Sequence, residues 1–342
     1  MTVNNASANA LVRTDLDGVF ANRQGGSSSR SLEVAPPVFL SGLRSEWHYV
    51  DELGFMEVNG PDSPMKPKGF KGEPSRGGFK LGTATGNAEI FKYQDYVFSE
   101  EELSELAARG VDAEALHVGR CARFAMQHHE YSVGQFLSTA SNYASAHVNS
   151  APADISDPAS ELIADIDGAV NDLVDAGVDI DNMRICAVYH DGVNQLLKRH
   201  NEIKERAGFA GADVSATATF RKLGYATSED VGNFWSQAFD VAIEPVVLRK
   251  RVKSSGSVVR VMNNDIAIIA CPRPGTDGAI DEDAPGFVRT QTLSAENALG
   301  RLIQYNPPKE PNGVGFYMKQ IYGLINPDNG GYYGALLDGV YS

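Results

Sequence analysis

The side chains that could do chemistry are few, and their spacing decides most of what they could do. His128, His129 and Glu130 stand together in a stretch of helical period. A metal pair on a helix needs ligands on one face, whereas adjacent helical residues point about 100° apart. These three therefore read as helix-face residues. Asp175, Asp179 and Asp181, and the group Asp277, Asp281, Glu282 and Asp283, offer the oxygens that calcium takes. Neither group has the order of a calcium loop with glycine at its sixth position, so both read as solvated acid. Asp15-Leu-Asp17-Gly18 has the spacing of a phosphatase carboxylate pair, but no apolar strand precedes it to hold the two in a pocket.

The sequence has no GxSxG elbow, GxxxxGK[ST] phosphate loop, GxGxxG turn or HExxH helix. Cys121, Cys186 and Cys271 are odd in number and form no CxxC pair, which excludes a disulfide framework or zinc site and leaves buried thiols in a reducing compartment. The expectation is no catalytic residue, no cofactor and no metal.

With chemistry scarce, organisation carries the reading. A chain of 342 residues exceeds the usual single domain, so two lobes, or one lobe with large extensions, are expected. Hydrophobic residues at 42% and charged residues at 22% belong to a globular protein. The net charge of -14 opposes phosphate over most of the surface, which argues against direct DNA binding as the main task. No apolar run reaches the roughly 18 to 20 residues of a spanning helix, and the start lacks the pattern of a signal peptide, so the expected site of synthesis is the cytosol, with no membrane partner.

The first forty residues, rich in Asn, Ser, Ala and Gly, offer little apolar surface of their own and read as an arm that a neighbouring subunit must order. Residues 60–92 hold Lys66, Lys68, Lys71, Arg76, Lys80 and Lys92 against Asp62, Glu73 and Glu89, a basic segment in an acidic chain. Alternation at Phe79-Lys80-Leu81 and Ala88-Glu89-Ile90 predicts a long two-stranded excursion, with a surface loop as the alternative. Two strands alone are marginal in water. Ser99 and Glu102 have capping-box spacing, and the helix they open pauses at Gly110. A second start at Asp112 is followed by Val118, Ala122, Met126, His129, Val133, Phe136 and Ala140, which predicts a rod over 112–142 about 45 Å long.

Asp157-Pro158 predicts the start of a further helix, striped by Leu162, Ile166, Val170 and Leu173 and ending at Gly177. A strand over 183–189 and a helix capped by Asp191, running through Leu196, Leu197 and Ile203, complete a mixed α/β lobe. Strands follow over 245–253, 257–262 and 266–271, a Gly/Asp/Pro loop over 272–286, and strands over 315–325 and 332–340 about the turn 326–330.

This order of parts resembles the Hong Kong 97-type fold shared by tailed-phage major capsid proteins and encapsulin shells. Locally, NMRICAVYHDGVNQLLKRHNEIKER is similar to the strand-then-helix passage of capsid axial lobes, where the helix carries Leu, His and Ile at steps of three. The resemblance implies an α+β fold: an N-terminal arm over 1–45, a peripheral segment over 46–57, an extended loop over 58–98, a peripheral domain with the spine helix over 99–154, an axial domain over 155–295 and peripheral return strands over 296–342.

It also implies a self-assembling icosahedral shell of hexamers and pentamers around double-stranded DNA, located in the virion capsid and assembled in the host bacterial cytoplasm. Implied partners are a separate scaffolding protein, a portal protein and a decoration protein. Arg30, Lys66, Lys68, Phe70, Lys71, Arg76, Phe79 and Lys80 are the inter-subunit contact candidates, and no lysine among them is singled out for a cross-link. The alternatives are an encapsulin-like compartment shell and a small-oligomer enzyme with a pocket in the α/β lobe.

Overall fold

The computed structural model describes residues 30–39, 42–50, 81–110, 113–178, 183–204, 226–239, 241–254, 256–273, 286–293, 300–305, 314–327 and 330–341. The first described elements are a single helical turn, α1 (Ser31–Val34), and strands β1 (Pro37–Phe39), β2 (Arg44–Val50), β3 (Leu81–Asn87) and β4 (Glu89–Phe98). Helices α2 (Glu100–Ala108) and α3 (Ala113–Leu137) follow. Then come β5 (Val148–Asn149), α4 (Leu162–Asp175), β6 (Met183–His190), α5 (Asp191–Leu197) and α6 (Ser228–Gln237). The rest is strand: β7 (Ile243–Leu248), β8 (Arg251–Ser254), β9 (Ser257–Arg260), β10 (Ile266–Pro272), β11 (Arg289–Thr292), β12 (Arg301–Tyr305), β13 (Val314–Ile325) and β14 (Gly334–Leu337). The fold is α+β, as the sequence predicts.

Two five-stranded sheets organise it. One runs β5-β14-β10-β6-β7 and carries the principal core. Its central strand, IAIIACP, is buried at every residue, so helices and loops must cover both faces. Helix α4 lies on β14 and β10, and α5 and α6 lie against β6 and β7. The second sheet runs β1-β11-β13-β12, with β4 also paired to β13. The last strands divide between the sheets, since β13 lies in the second and β14 in the first. Two-stranded ribbons, β2-β3 and β8-β9, complete the set.

Helix α3 joins the two sheets. Its first half packs Val118, Cys121, Ala122 and Ala125 on Met318 of β13, and its second half places Val133 and Leu137 in the principal core. At Gly134 the helix meets the Val261 backbone so closely that a Cβ would overlap the carbonyl. The predicted stripe is buried from Val118 through Val133, but Phe136 is half-buried and Ala140 exposed. At 25 residues the helix is about 37 Å long. It stops at Leu137 because side chains beyond take its last carbonyls: Asn142 Nδ2 donates to Phe136 O, and Tyr143 O–H to Leu137 O.

Other local differences have equally plain causes. Asp157 does not start α4; it accepts from the Ala159 N–H in a turn, and the helix begins at Leu162. Glu202, from the short helical stretch 201–204, accepts the Ile163 N–H in its place. Asp191 is already helical, and the cap of α5 is His190, whose Nδ1 accepts from the N–H groups of Gly192 and Val193. The strand predicted over 245–253 breaks after Leu248, where the Lys250 N–H donates to Glu130 on α3 and turns the chain outward. The predicted capping box at Ser99 and Glu102 is made in full.

Candidate assembly surfaces

Residues 30–39, which follow the segment read from sequence as an arm, are anchored to the rest of the chain. Arg30 Nη1 donates to Pro245 O at 3.1 Å, and its guanidinium meets Glu33 at 3.4 Å. Arg184 Nη2 donates to Glu33 O, and the Cys271 thiol faces Val34 O. The centre of the anchor is His129, buried on α3. Thr290 Oγ1 donates its proton to Ala35 O at 2.7 Å, so it can only accept from His129 Nε2, 3.1 Å away. His129 Nδ1 is then the acceptor for Ser31 O–H at 2.8 Å. Burial, with a smaller contribution from His128, lowers the His129 pKa to about 4, so the ring is neutral and its tautomer is set by these partners.

The two-stranded ribbon departs from the same place. Strands β2 and β3 pair from Arg44 opposite Asn87 to Val50 opposite Leu81, and the chain between them, 51–80, lies outside the described residues. At the ribbon's base the Ala88 N–H donates to Leu43 O. Gly323 of β13 lies against the Asn87 carbonyl, where a Cβ would overlap it, and pairs with Gln291 of β11. Strand β11 in turn pairs with β1 at the end of the arm's root. Both roots therefore converge on one end of β13. Phe39, Leu43 and Ile90 surround them, all exposed.

Of the sequence-derived contact candidates, Arg30 alone is described, and its partners belong to its own chain. Lys66, Lys68, Phe70, Lys71, Arg76, Phe79 and Lys80 lie outside the described residues, as do residues 1–29 and the acidic loop 277–283. Residues 89–98, placed in the extended loop from sequence, form β4 along β13. His128 and Glu130 work separately. His128 Nδ1 shares a 2.8 Å bond with Tyr322 O–H, and burial lowers its pKa, whereas Glu130 accepts the Lys250 N–H.

A surface that sequence reasoning did not identify runs beside the spine helix. The β8-β9 ribbon turns at Gly256, with φ of 85°, and stands next to α3, where Gln127 Nε2 reaches Arg251 O. Asp191 ties the ribbon down through Arg251 at 3.0 Å and Arg260 at 3.5 Å. Between ribbon and helix lies a groove of about 530 Å³ lined by Phe124, Gln127, His128, Tyr131, Arg251, Val252, Lys253 and Val258. Its mouth is apolar: Phe124 is 41% exposed and Val258 70%. The signal for it was the apolar residues of α3 that fall off the buried stripe, Leu116 and Phe124.

The α/β lobe also has a cleft of about 120 Å³ beside His147, Asp165 and Asp172, below the roughly 300 to 1,000 Å³ of ordinary ligand pockets. Both Asp165 oxygens are already used, by Asn149 Nδ2 and the Ala153 N–H. Among the described residues no three His, Cys, Asp or Glu side chains are placed to hold a metal ion. The three cysteines are buried and form no disulfide. No helix among those residues is long and apolar enough to cross a membrane.

No family model matches the sequence, and no curated protein does. Solved structures do match. A phage-related protein from Bordetella bronchiseptica superposes with a TM-score of 0.62 at 14% identity, over 95% of this chain and 97% of that one. A virus-like particle from Pyrococcus furiosus gives 0.53 at 11%, over 95% and 98%. The capsid of the cyanophage P-SCSP1u gives 0.52 at 12%, over 90% and 87%. At such identities the likeness is one of fold, and this chain shares that fold along nearly its whole length with the phage-related protein, the virus-like particle and the cyanophage capsid.

Proposed function

We propose that the chain is the major capsid protein of a tailed bacteriophage, a structural subunit that associates with many copies of itself into an icosahedral shell around double-stranded DNA. The observation that carries the reading is the likeness of fold along nearly the whole chain to a phage-related protein and a cyanophage capsid. Two further features support it. The arm and the ribbon leave from roots fixed to one end of β13, as extensions meant to reach other copies would need. The net charge of -14 suits a wall that encloses DNA without gripping its phosphates. The role is structural and not catalytic.

The reading includes hexamers and pentamers of this chain, a separate scaffolding protein, a portal protein and a decoration protein. It places the mature protein in the virion after assembly in the bacterial cytoplasm. Arg30, Lys66, Lys68, Phe70, Lys71, Arg76, Phe79 and Lys80 are the residues through which arm and loop meet neighbours. A second reading is an encapsulin-like compartment, a shell of the same fold.

Negative-stain microscopy of the expressed protein tests both. Closed particles are expected, and particles that exclude protein cargo in favour of DNA during infection separate capsid from compartment. A small, compact oligomer under every condition would overturn the shell and return the enzyme alternative. Deleting residues 60–80, which lie between β2 and β3, should leave a soluble lobe unable to close particles.

A further inference from the structure

The exposed face of α3 is unlike the rest of the molecule. From Leu116 to His129 the sequence holds no acidic residue, although the chain has 44 of them. Leu116, Arg120, Arg123 and Gln127 follow one another at helical steps of three and four along this face, with Phe124 beside them. Leu116 is 59% exposed. The face continues into the groove beside the β8-β9 ribbon, whose wall adds Lys253, Val252 and Val258. Asp191 pairs with Arg251 and Arg260 at the ribbon's base, and Lys253 lines the groove beside the apolar Val252 and Val258.

Helix α2 has the complementary character. It carries Glu100, Glu101, Glu102 and Glu105 in nine residues, and it buries none of those residues in its own chain. Leu103 and Leu106 are half-buried only. A nine-residue helix is marginal in water, and a capping box contributes only about 0.5–2 kcal/mol, so α2 is a helix that packing elsewhere would complete.

We propose that the face of α3 and the groove beside it receive the acidic helix α2 of a second copy of this chain. The proposal rests on the shell reading and names one contact within it. Charge selects the occupant: the basic segment 60–92 of a neighbour would meet like charge here, which costs several-fold in association, whereas α2 brings carboxylates to Arg123 and Lys253. Glu101, Ser104 and Glu105 share the side of α2 opposite Leu103 and Leu106, and this acidic side faces the groove. Two different patches meet, so the contact is head-to-tail and propagates into rings, as a shell requires.

The test is a charge exchange in the full chain. Lys253→Glu with Arg123→Glu, or Glu101→Lys with Glu105→Lys, should each lower particle yield by about tenfold or more, with the melting temperature little changed. All four substitutions in one chain should restore the yield to within about twofold. Normal assembly by either reversed pair, or failure of the combined variant, overturns the proposal. Loss of DNA retention in the Lys253→Glu variant with assembly intact would assign the face to nucleic acid and also overturn it.

A second measurement does not depend on closed particles. Copies carrying Ser104→Cys are mixed with copies carrying Val258→Cys and treated with a short bis-maleimide. Linked pairs between the two kinds, and not within either, are expected. Linked pairs without particles would keep the contact and reject the shell, and particles without linked pairs would keep the shell and reject the contact.

Discussion

The two five-stranded sheets differ in how far one chain can complete them. In the β5-β14-β10-β6-β7 sheet, β10 and β14 are buried at every residue and β6 at all but Arg184, and aromatic rings fill the space beneath the helices. Among the described residues, the sheet built on β13 packs Met318 with Val118, Cys121, Ala122 and Ala125 of α3 and Ile321 with Ala88, and Phe39, Leu43 and Ile90 near it are exposed. The first sheet is a finished domain interior. The second holds the ends of β1 and of the β2-β3 ribbon, and its described apolar residues are less completely buried.

The sharpest way to break this comparison is to open the finished side. Trp235 is fully buried, donates Nε1–H to Tyr189 O–H at 3.1 Å and contacts Phe234 and Phe239. Trp235→Ala should cost about 3–5 kcal/mol and leave the Tyr189 hydroxyl buried without that partner. Denaturant unfolding measures it. If Met318→Ala, in the small cluster, cost as much, the asymmetry between the sheets would be wrong.

The next effect concerns the joint between the two regions. His129 has a pKa lowered to about 4 in the fold against 6.5 when unfolded, so the unfolded chain binds the additional proton between these values. Stability is therefore fully present above pH 6.5 and declines as pH falls toward 4, by at most about 3 kcal/mol for this group. His128, His190 and His200 shift the same way, chiefly through burial. His129→Gln should flatten part of this acid limb, while loosening Ser31 and with it the arm's root. Chemical denaturation at pH 7 and pH 5 gives both slopes, and an unchanged pH dependence in the variant would place the acid sensitivity elsewhere.

Much of the finished side was legible in the sequence because its rules are local. The stripe Leu162, Ile166, Val170 and Leu173 is buried throughout, and Leu197, His200 and Ile203 are fully buried, although the helix predicted through Ile203 stops at Leu197 and resumes only at 201–204. The tail predicted as strands around residues 326–330 is strand on both sides. What failed to show was long-range. Nothing near Asp157 reveals that Glu202 caps α4, and nothing near His129 reveals Ser31 and Thr290, 98 and 161 residues away. The division of β13 and β14 between sheets is likewise decided by which edges stand open. The groove beside α3 needed the β8-β9 ribbon to be placed, and its apolar wall comes from a segment more than a hundred residues downstream.

A smaller effect tests how closely the helix binds the finished side. At Gly134 an added Cβ would overlap the Val261 carbonyl, with Gln135 Nε2 donating to the same carbonyl at 3.2 Å. Gly134→Ala exchanges a helix-favouring residue, worth up to about 1 kcal/mol, for an overlap against backbone, which costs about 1–3 kcal/mol. The overlap wins because a backbone carbonyl held in place by its own neighbours cannot rotate away as a side chain could. Gly168 on α4 is the control: open space surrounds its missing Cβ, so Gly168→Ala should stabilise by up to about 1 kcal/mol. Opposite signs for the two alanines, read from thermal unfolding, are expected.

The smallest effect on folding belongs to the side of the second sheet. Leu116 is exposed and contributes to neither core cluster, so Leu116→Ser should change the stability of the isolated chain by no more than about 0.5 kcal/mol. The same substitution removes apolar area at the end of the α3 face, and a residue buried between copies contributes about 25 cal/mol for each Å² removed from water. A neutral result in unfolding together with a lower yield of particles is the expected pair. A loss of stability in the isolated chain would mean that Leu116 serves its own fold, and that the side of the second sheet is more complete by itself than its small clusters indicate.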